Sequence, residues 1–198
     1  MQHSARRYQL QYDGKLNGPL RILLVVSGFF TFAFGMLTPI YALFVEGIGE
    51  DITVVADSWA VFSLVAGLLT FVVGKWENKI KETELGIVFS QFILGFAYIL
   101  FFLTDGILML YAAMACLGAG MALYWPAFHS TYGKHTTRRE AAWQWSLYDG
   151  LSYLLPALAA VVGGAVVEAY GFGSMFIVMA VLSFVCGLFV LVLPRKAL

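Results

Sequence analysis

Residues 116–164 read CLGAGMALYWPAFHSTYGKHTTRREAAWQWSLYDGLSYLLPALAAVVGG. The pattern predicts two long apolar helices joined by a short basic loop. Each helix carries a proline, Pro126 or Pro156, and the second helix carries a carboxylate, Asp149, well inside its apolar run. A charge within a bilayer costs on the order of 3 kcal/mol, so lipid-facing helices rarely contain one. The stretch therefore predicts a membrane hairpin that lines a polar or water-filled space.

Composition supports a membrane location for the whole chain. Of its 198 residues, 61% are hydrophobic and 12% are charged, whereas soluble domains are about half apolar and a quarter charged. The apolar residues form long runs without alternation, which favours helices over the alternating strands of a membrane barrel. We expect an all-α, polytopic membrane protein.

The apolar runs predict six transmembrane spans, because about 20 residues cross a bilayer. They divide the chain into an N-terminal segment (1–21), a transmembrane domain (22–193) and a C-terminal tail (194–198). We number the spans one to six; they are 22–45, 59–73, 85–103, a fourth that ends near 132, 141–167 and 175–193. Between spans five and six we expect a short turn that contains Glu168, Gly171 and Gly173.

Charge placement predicts the orientation. All 12 lysines and arginines fall at the N-terminus, in the second and fourth loops, or at the C-terminus. The positive-inside rule then places both termini in the cytoplasm. We expect a multi-pass protein of the cell membrane, either plasma or inner.

Three motifs resemble those of the major facilitator superfamily. After span two, GKWENKIK begins at Gly74 and places Asn78, Lys79 and Lys81 where the superfamily has an acid, an arginine and a glycine. In span four, LYAAMACLGAGMA at 110–122 matches a Gly-x-Gly motif but has methionine in place of its arginine. In span five, Gly150 to Gly164 resembles the superfamily's Gly-Pro motif, with leucine before the proline.

The resemblance implies half of the usual twelve-helix transporter, with six helices arranged as two inverted three-helix repeats. Spans one, two, four and five would then face a central cavity, with spans three and six outside. Gly74, Asn78, Lys79 and Lys81 would form a cytoplasmic gate loop. Three prolines are expected to bend helices: Pro39, Pro126 and Pro156.

Six helices supply half of such a cavity, and the other half is expected to be a second copy of this chain. A single fixed orientation would make the homodimer parallel, with its two-fold axis along the membrane normal. A related six-helix partner and a further segment outside this sequence are the alternatives.

Polar and aromatic side chains on spans one, four and five form the predicted site for substrate binding or proton coupling. Ring faces can hold an amphipathic or cationic solute; helix packing and the interfacial aromatic belt are the alternative explanation. The predicted residues are Asp149, Trp145, Ser152, Tyr153, Tyr124, Trp125, His129, Thr38 and Tyr41.

Two titratable residues in this set have alternative roles. Asp149 is predicted either to handle substrate or protons, or to be hydrated near the cytoplasmic surface and paired with a loop lysine. His129 is predicted either to relay protons near neutral pH or to be an ordinary interfacial histidine.

The predicted function is secondary transport of a small solute by alternating access, with proton coupling through Asp149 and facilitated diffusion as the two options. The alternative is a non-transporting membrane scaffold or assembly partner with the same fold. We expect no enzyme activity, because no paired catalytic constellation is present, and no cofactor, metal or nucleic-acid partner. Cys116 and Cys186 match no metal or redox spacing. The expected partners are the lipid bilayer, the second six-helix half and the solute.

Overall fold

The computed structural model describes residues 16–77 and 83–194, without the side chains of residues 76 and 77. Three of the predicted gate-loop residues, Asn78, Lys79 and Lys81, lie outside the described residues. The described chain is helical, and no residue within it belongs to a strand. Its α-helices are α1 (Gly18–Leu37), α2 (Tyr41–Gly47), α3 (Ile52–Glu77), α4 (Glu84–Phe102), α5 (Ile107–His135) and α6 (Ala141–Val192).

Five stretches of the described residues are long and apolar enough to cross a membrane, with α1 and α2 counted as one. This confirms the all-α, polytopic membrane class. Large apolar side chains are exposed along these helices, among them Phe71, Phe96 and Val181, as expected for a surface that faces lipid.

Side-chain caps define the starts of two helices. The Asn17 side-chain oxygen accepts a hydrogen bond from the backbone N–H of Leu20 at 2.9 Å, at the start of α1. Before α3, a carboxylate oxygen of Asp51 accepts from the backbone N–H groups of Thr53 and Val54 at 2.9 and 3.3 Å. Hydrogen bonds from the Thr53 hydroxyl and from these two backbone groups lower the pKa of Asp51, because they favour its charged form.

Pro39 interrupts the first apolar stretch. A 3₁₀ turn, Thr38–Ile40, separates α1 from α2. Proline has no N–H for the helical hydrogen bond and its ring collides with the carbonyl four residues earlier. The other two prolines, Pro126 and Pro156, lie inside α5 and α6, which continue through them.

The last helix has 52 residues and is broken at Gly171. As one straight rod it would be about 78 Å long, far longer than a bilayer is thick. Gly171 has φ 79° and ψ 169°, a conformation that glycine adopts without steric cost. The break separates a first half of α6 (141–170) from a second half (172–192). The turn expected around Glu168, Gly171 and Gly173 is thus confined to a single residue.

The two halves of α6 run along α1 and α2 in opposite directions. In the first half, Leu155 lies against Gly28, and Gly163 lies against Met36, which is further along α1. The chain therefore ascends beside α1 in the same direction as α1 itself.

The second half returns past the same helices. Its first residue, Phe172, has its ring centroid 5.4 Å from that of Phe44 in α2. Fourteen positions later, the Cys186 sulfur lies 3.7 Å from the carbonyl oxygen of Val26, in the first half of α1. The chain thus reverses direction at Gly171.

Glycines permit the closest helix contacts. A Cβ atom on Gly118 of α5 would lie 2.6 Å from the carbonyl oxygen of Phe62 in α3. A Cβ atom on Gly35 of α1 would lie 2.7 Å from the Cα atom of Pro156 in the first half of α6. Both distances are too short for any side chain, so the pairs α3–α5 and α1–α6 pack backbone to backbone at these points.

The second half of α6 packs against α4. A Cβ atom on Gly95 would meet the ring of Phe184 at 2.8 Å, and one on Gly187 would meet the side chain of Gln91 at 3.3 Å. Gln91 is fully buried, and neither its amide nitrogen nor its amide oxygen has a hydrogen-bond partner among the described residues.

The small residues of α3 make no such contact with the other described helices. Ser63, Gly67, Thr70 and Gly74 share one face, which the spacing predicts to be a close-packing surface. In the structure α5 packs beside Phe62 instead. Ser63, Gly67 and Thr70 are exposed, and a Cβ atom built on Gly67 or Gly74 would meet no neighbouring helix within 4 Å among the described residues.

Candidate functional site

A cavity of about 710 Å³ lies between α1, α3, α5 and the first half of α6. No described residue of α4 or of the second half of α6 lines it, which agrees with the four cavity-facing spans that the superfamily resemblance implies. Its walls are largely aromatic, from Phe30, Phe34, Trp59, Phe62 and Trp125.

The cavity is open on one side. Thr38 and Ala157 line it and are also exposed. The described chain places α1 and α5 behind the cavity and α3 and the first half of α6 at its sides. Opposite α1 and α5 the described residues place no helix, so the cavity is a groove that is open on that side.

Three hydroxyl groups line the cavity, and each is bonded within its own helix. The hydroxyls of Thr31, Thr38 and Ser152 donate to the carbonyl oxygen four residues earlier at 2.8, 3.0 and 2.9 Å respectively. Each hydroxyl proton is thus engaged, while the oxygen can still accept a hydrogen bond.

Several predicted site residues do line the cavity. Trp125 projects from α5, Ser152 from α6 and Thr38 from the 3₁₀ turn. The two prolines next to them in space, Pro39 and Pro156, also line it. The cavity therefore brings together residues that are more than 100 positions apart in the sequence.

His129 and Asp149 lie about one helical turn beyond the cavity, toward the end of α5. The ring of His129 has its centroid 5.3 Å from that of Trp125. Asp149 precedes Ser152 by three residues, about 4.5 Å along the helix, and is exposed. The His129 ring lies 5.9 Å from that of Trp145 and 6.1 Å from that of Tyr148 between centroids, so it packs across the α5–α6 contact next to the turn that carries Asp149.

Aromatic rings pack α5 against α6 beside this pair. The Tyr132 ring lies 4.8 Å from that of Trp145 and 5.6 Å from that of Tyr148 between centroids. Phe128 lies 5.0 Å from Tyr148, and the Tyr132 hydroxyl donates to the carbonyl oxygen of Gln144. The predicted site residue Trp145 thus belongs to the packing cluster that borders the cavity.

Polar contacts join three helix ends beyond this cluster. The Lys134 ammonium donates to the Thr83 hydroxyl at 3.0 Å, and the hydroxyls of Thr83 and Thr131 are 2.9 Å apart. The Asn17 amide donates to the carbonyl oxygen of His135 at 2.9 Å. These contacts tie the starts of α1 and α4 to the end of α5.

Three tyrosines of the predicted site are not among the lining residues. Tyr124 is fully buried behind the wall and its ring stacks on Phe30 at 3.8 Å between centroids. The Tyr41 hydroxyl is hydrogen-bonded to that of Ser58 at 2.6 Å. Tyr153 is 81% exposed, because it points about 100° around the helix from Ser152.

The sequence did not single out most of the aromatic lining. Phe30, Trp59 and Phe62 look like ordinary apolar residues until the helices are brought together. A signal did exist in span one, where Ser27, Thr31, Phe34, Thr38 and Tyr41 recur at steps of three and four and are predicted to share one mildly polar face. Thr31, Phe34 and Thr38 line the cavity, whereas Ser27 and Tyr41 are not among its lining residues.

No group of three or more His, Cys, Asp or Glu side chains in 16–77 or 83–194 is arranged to hold a metal ion.

A sequence model of the Major Facilitator Superfamily matches residues 20–197. No significant match to a curated protein was found. The family match extends over all the transmembrane helices and includes every residue that lines the cavity. The chain therefore belongs to the Major Facilitator Superfamily of multi-pass membrane transporters.

Proposed function

We propose that this protein moves a small solute by alternating access and that the 710 Å³ cavity holds the solute. The observation that carries the proposal is the shape of this cavity, a groove walled by four helices and open on the side where a second half would stand. Pockets of about 300–1,000 Å³ with mostly apolar walls are typical of small-molecule sites.

Helix pairing supports an arrangement of six spans in two inverted three-helix repeats. Spans one to four correspond to α1 with α2, α3, α4 and α5, and spans five and six correspond to the first and second halves of α6. Exchanging span one with four, two with five and three with six converts the α3–α5 contact into the contact between α1 and the first half of α6. Each of these contacts has a glycine, Gly118 or Gly35, at its tightest point. The exchange also converts the α4–α5 contact into that between the second half of α6 and α1, and it leaves the α4–α6 contact unchanged.

The proposed second half is another copy of the chain. The small residues Ser63, Gly67 and Thr70 are exposed on α3, the helix that also carries the lining residues Trp59 and Phe62, and they allow the close approach of another helix. With all lysines and arginines on one side of the membrane, both copies would have their termini in the cytoplasm. Two parallel copies would then be related by a two-fold axis along the membrane normal. A related six-helix half would fit the same surface.

Cross-linking tests the dimer directly. A cysteine at Ala157, on the rim of the groove, should form a disulfide or a short bismaleimide link with its counterpart in native membranes, after Cys116 and Cys186 have been replaced by alanine. A cysteine at Val181, which is 52% exposed on the second half of α6, is the matched control and should not cross-link. Equal cross-linking at both positions, or at neither, would contradict the proposed dimer.

The proposed coupling residue is Asp149, with His129 as its neighbour. Both groups lie between the cavity and the Lys134 end of the bundle, and no lysine or arginine occurs between residues 140 and 194 to neutralise Asp149 from its own helix. Protonation of the carboxylate would remove the free-energy cost of a charge within the bilayer. It would accompany the change by which the cavity opens to the other side of the membrane.

Proteoliposome uptake separates the candidate functions. A panel of cationic, neutral and anionic small organic solutes is tested with and without a pH gradient. Gradient-driven uptake that is lost in Asp149→Asn, but kept in Glu168→Gln at the far end of the same helix, supports proton coupling. Equal uptake with and without the gradient in all variants would indicate facilitated diffusion. Absence of protein-dependent uptake for the whole panel would favour the scaffold role over transport.

A further inference from the structure

We infer that the solute is an organic cation with an aromatic or aliphatic body. The inference rests on the proposed transport function and names the class of molecule that the cavity would hold. Three features of the described residues carry it: the chemistry of the cavity walls, the state of their hydroxyl groups, and the signs of the charges at the two ends of the cavity.

The walls present ring faces and almost no free donors. Phe30, Phe34 and Phe62 offer only apolar surface and π-electrons, and Trp59 and Trp125 add one indole N–H each. The negative face of an aromatic ring attracts a cation and repels an anion. An anionic solute would instead require several N–H or O–H groups or a cationic side chain.

The hydroxyl groups of the walls favour the same sign of charge. Thr31, Thr38 and Ser152 donate their protons to backbone carbonyls, so their oxygens face the cavity as acceptors alone. To donate to a carboxylate or phosphate, each hydroxyl would have to give up its bond to the backbone. A cation gains from the exposed lone pairs without breaking any of the three bonds.

Negative charges stand at both ends of the cavity. At one end, Asp149 lies about one helical turn before the lining residue Ser152 on α6. On the other side, a second cavity of about 440 Å³ is lined by Glu46, Glu50 and Asp51. It lies next to the first cavity along the chain, because Glu46 is eight residues after Thr38 and Val55 is four residues before Trp59. The positive-inside rule accounts for the lack of lysine and arginine in this outer region but not for its carboxylates.

Cationic side chains are missing from the path between these ends. Between residues 22 and 74, 82 and 133, and 140 and 194 the sequence contains no lysine or arginine. A positively charged solute therefore meets attractive or neutral groups along the whole groove, and a second copy of the chain would present the same walls.

Three probes with the same two-ring body and different charge test the inference: 1-methyl-4-phenylpyridinium, 4-phenylbenzamide and 4-phenylbenzoate. Binding to the protein in lipid nanodiscs is measured by calorimetry, and uptake is measured in proteoliposomes. We expect the cation to bind about tenfold more tightly than the benzoate, since each desolvated contact with a ring face favours the cation. The neutral amide should fall between them.

Variants connect this preference to the cavity. Trp125→Leu keeps an apolar side chain but removes a ring face, and it should reduce cation binding about tenfold while it changes amide binding little. Phe34→Leu makes the same test with a ring from α1. Tyr170→Leu, at a residue that is 76% exposed and distant from the groove, is the control and should bind the cation like the unaltered protein.

The outcomes distinguish the solute class from the transport function. Binding or uptake of the benzoate equal to or above that of the cation overturns the cation inference, and benzoate uptake would still support transport. Selective cation binding that depends on Trp125 or Phe34, without any uptake, supports the inference and contradicts transport. Cation preference that is unchanged in both Trp125→Leu and Phe34→Leu overturns the assignment to this cavity.

Discussion

Gly35→Ala should destabilise the protein through the contact between α1 and α6. The added Cβ atom would lie 2.7 Å from the Cα atom and 2.9 Å from the Cβ atom of Pro156. Ordinary contacts begin at 3.4 Å, so the helices would have to separate by about 0.7 Å at this point. The proline ring has no rotamer that could relieve the contact. Overpacking of this kind costs about 1–3 kcal/mol, which exceeds the gain of about 1 kcal/mol or less that alanine offers over glycine in a helix.

Thermal unfolding of the purified protein in nanodiscs, followed by circular dichroism, measures this effect. Gly164→Ala is the matched control, because no atom lies within 4 Å of a Cβ at that position. It should be unchanged or slightly more stable. Gly120→Ala should fall between the two, since the atoms that it meets belong mainly to the flexible side chain of Leu94. Equal melting temperatures for Gly35→Ala and Gly164→Ala would refute the tight α1–α6 contact.

Three further predictions concern single side chains. Tyr41→Phe should cost about 1 kcal/mol in unfolding free energy, because it removes the bond to Ser58, and a double-mutant cycle with Ser58→Ala should show the coupling; additivity would argue against the bond. Hydrogen bonds lower the pKa of Asp51 in the folded protein, so its stabilisation is complete above the pKa of the unfolded chain and is lost as pH falls through the folded-state pKa. Melting temperature measured below about pH 5 should therefore depend less on pH in Asp51→Asn than in the unaltered protein; identical pH profiles would contradict this. Gln91→Met should raise the melting temperature, because it removes a buried amide without a partner among the described residues at a site where such a group costs about 1–3 kcal/mol. A lower melting temperature would mean that the amide is bonded in the membrane.

The break in α6 could be predicted from the sequence, but its exact position could not. Two apolar runs separated by Gly171 and Gly173 predict a reversal of the chain, because a bilayer is too thin for one rod of that length. The sequence does not tell which glycine makes the turn. In the structure Gly171 takes the positive φ, while Gly173 is helical and packs near Phe102.

The predicted site residues and the cavity lining overlap in part, and the differences have one cause. Helical spacing correctly groups Thr31, Phe34 and Thr38 on one face, but the same reasoning cannot tell a lining residue from one behind the wall. Tyr124 is next to Trp125 in the chain and lies behind the wall, in contact with Phe30. Trp59 and Phe62 line the cavity because α3 packs closely on Gly118.

The sequence alone determined the membrane class, the family motifs and the sites where helices can bend, because these depend on the hydrophobicity, charge and backbone freedom of neighbouring residues. Which helix faces meet and where the cavity opens became visible only in the folded protein. Those features depend on backbone contacts between residues far apart in the chain, such as that of Gly35 with Pro156, and close packing at one point fixes the rotation of a whole helix.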